Sequence, residues 1–89
     1  MISHTTKDFW KLFDSLQKDI QKQAVEAYKT WKTNPNHPGL HFKSIQSSES
    51  IYSVRISLGY RALGLKDENT ITWFWIGSHS GYEKLISRF

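Results

Sequence analysis

Apolar residues recur at helical spacing in two stretches near the start of the chain. The two stripes consist of Phe9, Leu12, Phe13 and Leu16, and of Ile20, Ala24, Ala27 or Tyr28, and Trp31. Thr5 or Thr6 is positioned to cap the first helix, and Asp8 falls in its first turn, where a carboxylate is favourable. A break between Ser15 and Lys18 separates the stripes. The pattern therefore predicts two helices that form an antiparallel hairpin.

Strand-like alternation replaces helical spacing after the segment "NPNHPGL", whose prolines and glycine end the helical region. The predicted strands are "LHFKSI", "IYSVRIS", "YRALGLK" and "TITWFWIGSH". In the second strand, one face holds Tyr52, Val54 and Ile56, and the other holds Ser53, Arg55 and Ser57. We expect the first of these faces to lie under the helices and the second to be polar and open. The last strand is apolar on both faces, which is typical of a buried strand.

The order of these elements predicts the fold class. Two helices followed by four strands indicate an α+β fold in which the helical hairpin packs on one face of a mostly antiparallel four-stranded sheet. The closing segment "SGYEKLISRF" forms a short helix or a tail. A length of 89 residues suits one domain, residues 1–89, with a single core of two packed layers.

Composition narrows the class of protein and of partner. The chain has no cysteine, which excludes disulfides and thiolate metal sites and fits a reducing compartment. The start "MISHTTKDFW" lacks the layout of a signal peptide, and the longest apolar run, "WFWI", is too short to cross a bilayer. We therefore expect a cytoplasmic protein without a membrane partner. The net charge of +4 favours polyanionic partners.

Five polar residues could converge on the polar face of the predicted sheet. Arg55 lies on that face, and Arg61 begins the next strand just across a tight turn. His79 and Tyr82 follow the last strand, and Lys43 lies on the first. Period-two counting leaves the direction of the Arg61 side chain open.

Such a set of side chains suits RNA cleavage without a metal or a cofactor. Attack by the 2′-hydroxyl requires a base, cations that stabilise the phosphorane, and an acid for the leaving 5′-oxygen. His79 can transfer a proton near neutral pH, paired arginines bind phosphate through their fork geometry, and Tyr82 can stack on a base or donate its hydroxyl. Glu49, in the polar loop "QSSES", is either an ordinary loop residue or a general base near the arginines.

Each candidate also has an ordinary structural interpretation. His79 can be a surface residue, Tyr82 a cover for the sheet edge, and Arg55 a solvated side chain. His37 and His41 are four residues apart, but "HPGLH" contains proline and glycine and cannot form the helical turn of a zinc clamp. The sequence therefore predicts no metal site.

The whole chain resembles the RelE/ParE superfamily of toxins from bacterial type II toxin–antitoxin systems. Three segments carry the resemblance: "NPNHPGLHFKSI" after two helices, "YSVRISLGYRALG" as an arginine-bearing hairpin, and the ending "ITWFWIGSHSGYEKLI". The resemblance covers nearly the full length and includes the order of elements. It implies a RelE/ParE-like fold.

RelE-like members of that superfamily are ribosome-dependent endoribonucleases that cut mRNA in the ribosomal A site without a metal and are held inactive by a cognate antitoxin. By that similarity, Arg61 in "GYRALG" supports the scissile phosphate and Arg55 in "SVRI" provides a second phosphate contact. His79 and Tyr82 match the base or stacking positions near the C-terminus, and Lys43 matches basic residues of the early strands. The resemblance thus implies three partners, namely an antitoxin, the ribosome and mRNA, and no cofactor.

ParE-like members share the fold, lack this constellation and poison DNA gyrase, so the fold does not decide between the two activities. The chain also carries less lysine on the sheet than the closest RelE-type enzymes. The joint presence of Arg55, Arg61, His79 and Tyr82 favours the nuclease. A relative that only binds an antitoxin is the third alternative.

Overall fold

The computed structural model of the protein describes residues 1–89 and contains three α-helices and five β-strands. The helices are α1 (Lys7–Asp14), α2 (Lys18–Thr33) and α3 (His79–Ile86), and a short 3₁₀ helix spans Pro38–Leu40. The strands are β1 (Ile2–Thr5), β2 (Lys43–Ile45), β3 (Ser48–Ser57), β4 (Tyr60–Asp67) and β5 (Thr70–Ser78). No helix is both long enough and apolar enough to cross a bilayer.

The strands form one mixed sheet in the order β1-β5-β4-β3-β2. Strand β1 pairs with β5 in parallel, and all other pairs are antiparallel. The predicted α+β class with two N-terminal helices is confirmed, but the predicted count of four strands was too low by one. The missed strand, "ISHT", is mostly polar and lies at the sheet edge, where it has no alternating apolar face. Backbone bonds fix it to β5, including one of 2.8 Å from Ile2 N–H to the Asn69 carbonyl.

Local signals set the helix boundaries. Thr6 is the N-cap of α1, and its Oγ1 accepts a hydrogen bond of 3.1 Å from the Phe9 N–H. Helix α1 ends before Ser15, and α2 begins at Lys18, so the break lies where the apolar stripes are interrupted. The side-chain amide of Gln21 crosses this break and donates to the Phe13 carbonyl at 2.9 Å. The predicted cap and break are therefore confirmed.

Each face of the sheet has its own apolar cluster. Helices α1 and α2 cover the first face, where Trp31 packs edge-on against Trp73 at 5.4 Å between ring centroids. Val54, Tyr52 and Ile56 of β3 belong to this cluster, as their alternation predicts. The second face carries Ile45, Ile51 and Leu63, against which residues of α3 pack.

The second face is consequently only partly open, contrary to the expectation of a fully polar surface. Helix α3 covers its centre, and Ser53 beneath it is 7% exposed. Strand β5 bulges at Phe74, because Leu63 pairs with Trp75 while Gly64 pairs with Trp73. The bulge turns Phe74 and Trp75 toward the same cluster. An apolar α3 face therefore supports the polar site at its edge.

Candidate active site

Arg55 and Arg61 lie directly opposite each other on β3 and β4. Opposite residues of an antiparallel pair project to the same face, with Cβ atoms about 4.5–5.5 Å apart. Because Val54 packs under α1 and α2, alternation directs both arginines toward the face that carries α3. The Arg55 guanidinium extends to the edge of the sheet, where it contacts His41, and Arg55 also lines a pocket with residues of α2. The two-residue turn Leu58–Gly59 sets this register, and a bulge between Arg55 and Ser57 adjusts it. The direction of Arg61 was left open by the sequence and is fixed by this pairing.

Arg61 is held against the turn that precedes it. Its Nη1 donates to the carbonyl oxygens of Ser57 at 2.6 Å, Tyr60 at 2.9 Å and Leu58 at 3.3 Å. The Nε and Nη2 groups make no hydrogen bond within the protein and remain available to a ligand. Partial immobilisation of this kind leaves less side-chain entropy to be lost when an anion binds.

The environment of Arg61 favours an anion beside it. Burial lowers the pKa of the Arg61 guanidinium below its ordinary value, and the positive charge of Arg55 lowers it further. Tyr82 and Glu83 act in the opposite direction and raise this pKa. The guanidinium stays charged at neutral pH, because an arginine in a protein is not deprotonated there. The single carboxylate of Glu83 does not neutralise the two positive charges of Arg55 and Arg61. The remaining positive charge favours a bound anion at this place.

Arg55, Arg61 and Gly77 lie side by side on the neighbouring strands β3, β4 and β5. Gly77 is the β5 partner of Arg61, and the indole of Trp75 lies over it. A Cβ atom at this position would approach the Trp75 ring to 2.7 Å. The absence of a side chain thus lets Trp75 pack close to the backbone just before α3 begins.

His79 and Tyr82 lie one turn apart on α3. The Ser78 hydroxyl caps this helix by accepting from the Gly81 N–H at 3.2 Å. The His79 N–H donates to the Gly59 carbonyl at 2.7 Å, which ties the start of α3 to the β3–β4 turn. The same turn therefore positions the His79 backbone and the Arg61 guanidinium.

The imidazole of His79 is exposed and has one acidic and one aromatic neighbour on α3, namely Glu83 and Tyr82. Its Nε2 lies 3.5 Å from Glu83 Oε1, and its ring centroid lies 5.7 Å from that of Tyr82. Tyr82 is half-buried because one side of its ring packs on the apolar cluster of the second face. Helical geometry thus brings a titratable ring, a carboxylate and a phenol to one side of α3.

Lys43 lies on the same face of the sheet as the arginines. It pairs with Ser53, two residues from Arg55, and such diagonal neighbours are about 7–8 Å apart. Lys43 is exposed and makes no ion pair. It lines a groove of about 530 Å³ together with Tyr82 and Glu83. The structure therefore brings together Lys43, Arg55, Arg61, His79 and Tyr82.

The structure does not bring Glu49 into this site. Glu49 lies near the start of β3, six residues before Arg55, which corresponds to about 20 Å of extended strand. A general base must come within hydrogen-bond reach of the proton that it removes. Glu49 is therefore too far from the arginines to act as a base for chemistry there. The prediction of a loop over "QSSES" was also wrong at Glu49, because β3 extends back to Ser48.

Two further residues at the site were missed by sequence reasoning. Glu83 contacts His79, and its spacing of four residues within a helix was a signal for this contact. His41 has a left-handed backbone with φ 48, and its Nε2 lies 3.4 Å from Arg55 Nη1. Only the pairing of β2 with β3 shows that contact. No three His, Cys, Asp or Glu side chains come together anywhere in the chain.

The site can bind a phosphate and transfer a proton at the same place. The arginines provide charge and directional donors, the imidazole provides a proton donor or acceptor, and the phenol provides a stacking surface. These groups lie at the open edge of α3 and not in a closed cavity. The geometry fits an extended polyanion that lies across the sheet.

Comparison with known proteins gives matches to toxin families. The family model of the ParE-like toxin domain matches residues 18–84. No curated protein sequence matches the chain significantly.

Solved structures of toxins share the fold over nearly the whole chain. RelE in the RelB–RelE antitoxin–toxin complex from Methanococcus jannaschii has a TM-score of 0.73 at 18% identity, covering 92% of this chain and 96% of that one. YafQ from E. coli has a TM-score of 0.72 at 12% identity, covering 90% and 94%. The isolated E. coli RelE toxin has a TM-score of 0.66 at 13% identity, covering 98% and 96%. At sequence identities this low, the structural similarity establishes a common fold and no common activity.

Proposed function

Because this chain belongs to the ParE-like toxin domain family, within the RelE/ParE superfamily of toxin–antitoxin systems, we propose that it is a metal-independent endoribonuclease that cuts mRNA on the ribosome. The observation that carries the proposal is the pairing of Arg55 with Arg61 on the face that also presents His79 and Tyr82. Paired guanidinium groups beside an imidazole supply the charge stabilisation and the proton transfer that phosphodiester cleavage requires.

The arginines bind the scissile phosphate in this mechanism. The free Nε and Nη2 of Arg61 contact its non-bridging oxygens, while Nη1 remains on the turn carbonyls. Arg55 approaches from the neighbouring strand, and Lys43 holds the adjoining backbone. Charge develops on these oxygens as the phosphorane forms, so fixed cations stabilise the transition state more than the bound substrate.

His79 carries out proton transfer. The 2′-hydroxyl loses its proton and attacks phosphorus, the bond to the 5′-oxygen breaks, and that oxygen gains a proton. The products are a 2′,3′-cyclic phosphate and a 5′-hydroxyl, so no water is consumed in this step. Glu83 orients the imidazole through its contact at Nε2, and Tyr82 stacks on a base or orients the ribose.

An antitoxin is the expected inhibitor and partner. The M. jannaschii and Pyrococcus horikoshii RelE structures are both complexes with RelB. In this chain a mostly apolar groove of about 340 Å³ is bounded by α1, α2 and β1, and Trp10 and Tyr28 on its walls are 48% and 42% exposed. A groove of this kind suits the apolar side of an amphipathic segment. We place the toxin, its antitoxin and the ribosome in the cytoplasm.

Induced expression with primer extension on a reporter mRNA tests the proposal. We expect cuts in translated mRNA with the wild type and none in a reporter that lacks a ribosome-binding site. His79→Ala should weaken the cuts by about 10²- to 10⁴-fold, the usual contribution of general acid–base catalysis. His4→Ala is the matched control, because His4 is also exposed but lies on β1 opposite Thr72, about 20 Å along β5 from Ser78. Full cleavage by a folded His79→Ala variant would refute the assignment.

Inhibition of DNA gyrase is the second candidate, and the ParE-like description of the matched family model favours it. In that case growth stops while mRNA stays intact, purified gyrase loses supercoiling activity, and His79→Ala remains toxic. A folded wild-type protein that does not stop growth would instead be a relative that only binds an antitoxin.

A further inference from the structure

His41 has a backbone conformation that a residue with a side chain rarely adopts. Its φ of 48° and ψ of 43° lie in the left-handed region, where the Cβ atom crowds the following carbonyl oxygen. Glycine or asparagine is the usual residue in this conformation at the end of a helix. The only other residue of the chain with a positive φ is Glu68, in the β4–β5 turn. Backbone strain of this kind persists only where the surrounding structure imposes it, and it is concentrated at functional sites.

The residues on either side of His41 impose this conformation. Leu40 is 4% exposed and belongs to the apolar cluster of the first face. Phe42 packs edge-on against Trp31 of the same cluster, at 5.7 Å between ring centroids. Between these two anchored residues the His41 N–H donates to the Pro38 carbonyl at 3.4 Å, which closes a tight turn. The backbone therefore directs the exposed imidazole away from the core.

The imidazole reaches Arg55 on β3. Its Nε2 lies 3.4 Å from Arg55 Nη1. A guanidinium carries donors only, so this hydrogen bond requires an unprotonated Nε2 as the acceptor. Neither ion pair of the chain includes Arg55. The position of the Arg55 guanidinium therefore depends on the neighbouring imidazole of His41.

We propose that His41 is a positioning residue for Arg55, an inference that rests on the ribonuclease function above. An arginine side chain loses conformational entropy when it binds a phosphate. The contact with His41 restricts the Arg55 guanidinium before RNA binds, as the turn carbonyls restrict Arg61. A neutral imidazole accepts this hydrogen bond without adding a negative charge, whereas a carboxylate partner would compete with the phosphate for the guanidinium.

The charges around the pair favour an anionic ligand at Arg55. Lys43 lines a pocket together with His41, and Lys22 lines another together with Arg55. Glu26 is the only acidic residue in either pocket. A mainly positive surface attracts a polyanion such as RNA to the place where His41 holds the guanidinium.

Binding of a short single-stranded RNA to the His79→Ala protein, which leaves the RNA intact, tests this role. His41→Gly and His41→Asn remove the imidazole but suit a left-handed residue, so the thermal transition should not fall. Each should weaken RNA binding by about three- to tenfold, the effect expected of one hydrogen bond. In an Arg55→Gln background the same changes should alter the affinity by less than about twofold. His4→Ala removes an exposed imidazole from β1 and should match the parent protein.

Comparison of binding with cleavage separates this role from the ribonuclease function. If the wild type cuts mRNA and the His41 variants bind RNA like the parent, His41 is a turn residue only and the nuclease stands. If these variants lose the same affinity with and without Arg55, His41 contacts RNA itself, and positioning through Arg55 is wrong. If RNA binding depends on both residues together but mRNA stays intact, the positioning role stands and the nuclease is refuted. If the parent binds no RNA and mRNA stays intact, both proposals fail.

Discussion

Arg55 and Arg61 face each other across the β3–β4 hairpin, so two guanidinium groups share one position on the sheet. Like charges directly opposite in a sheet are destabilising, and Arg55 contributes to the lowered pKa of Arg61. The protein therefore keeps an electrostatically unfavourable pair at the place where a phosphate is expected to bind.

Arg55→Gln should stabilise the folded protein and weaken its activity. Removal of one of two adjacent cations should raise the free energy of unfolding by about 0.2–1 kcal/mol at low salt. The gain should shrink as salt increases, because exposed charges are screened. Urea denaturation at two salt concentrations measures this effect. A variant that is less stable than the wild type at low salt would contradict the electrostatic interpretation.

Arg61→Ala should have the opposite effect on stability. The substitution removes the Nη1 hydrogen bonds to the carbonyls of the β3–β4 turn. Hydrogen bonds from charged groups contribute about 1.5–3 kcal/mol when buried, and partial exposure here reduces the expected loss to about 1–2 kcal/mol. Cleavage should also be lost. Because instability alone could impair cleavage, activity is compared below the thermal transition of the variant.

Gly77→Ala should destabilise the junction of β5 and α3. Its Cβ would approach the Trp75 ring to 2.7 Å, so the indole or the strand must shift, at a cost of about 1–3 kcal/mol. Gly59→Ala is the matched control, since no atom lies within 4 Å of its Cβ position and its φ is not positive. That change should be neutral or slightly stabilising. Thermal denaturation of the two variants should separate them, and equal transitions would show that Trp75 adapts freely.

Lys43→Ala should weaken binding of single-stranded RNA through charge alone. Loss of one phosphate contact should lower the slope of the logarithm of affinity against the logarithm of salt concentration by about 0.7. Lys11→Ala, an exposed lysine on α1, provides a control for the change in net charge. Measured affinities of the catalytically inactive His79→Ala protein for a short RNA give both slopes. Equal slopes for Lys43→Ala and Lys11→Ala would remove Lys43 from the site.

The sequence by itself determined the elements whose signals are local. The stripes of α1 and α2, an N-cap at Thr5 or Thr6 and the two-residue turn at Leu58–Gly59 depend on side chains a few residues apart. The opposite directions of Val54 and Arg55 follow from the period of a strand. These properties do not depend on how the helices and strands pack together, so they could be predicted from the sequence alone.

Only the tertiary structure decided which elements meet. Strand β1 was missed because its parallel partner β5 begins 68 residues later in the chain (Ile2 pairs with Thr70) and its own pattern is polar. The same non-local pairing orients Arg61 toward α3, joins His41 to Arg55, and leaves Glu49 at the far end of β3. Burial of Ser53 beneath α3 depends on the packing of a helix that follows it by more than twenty residues. Contacts between distant residues arise from the collective packing of the sheet and helices, and no local pattern in the chain encodes them individually.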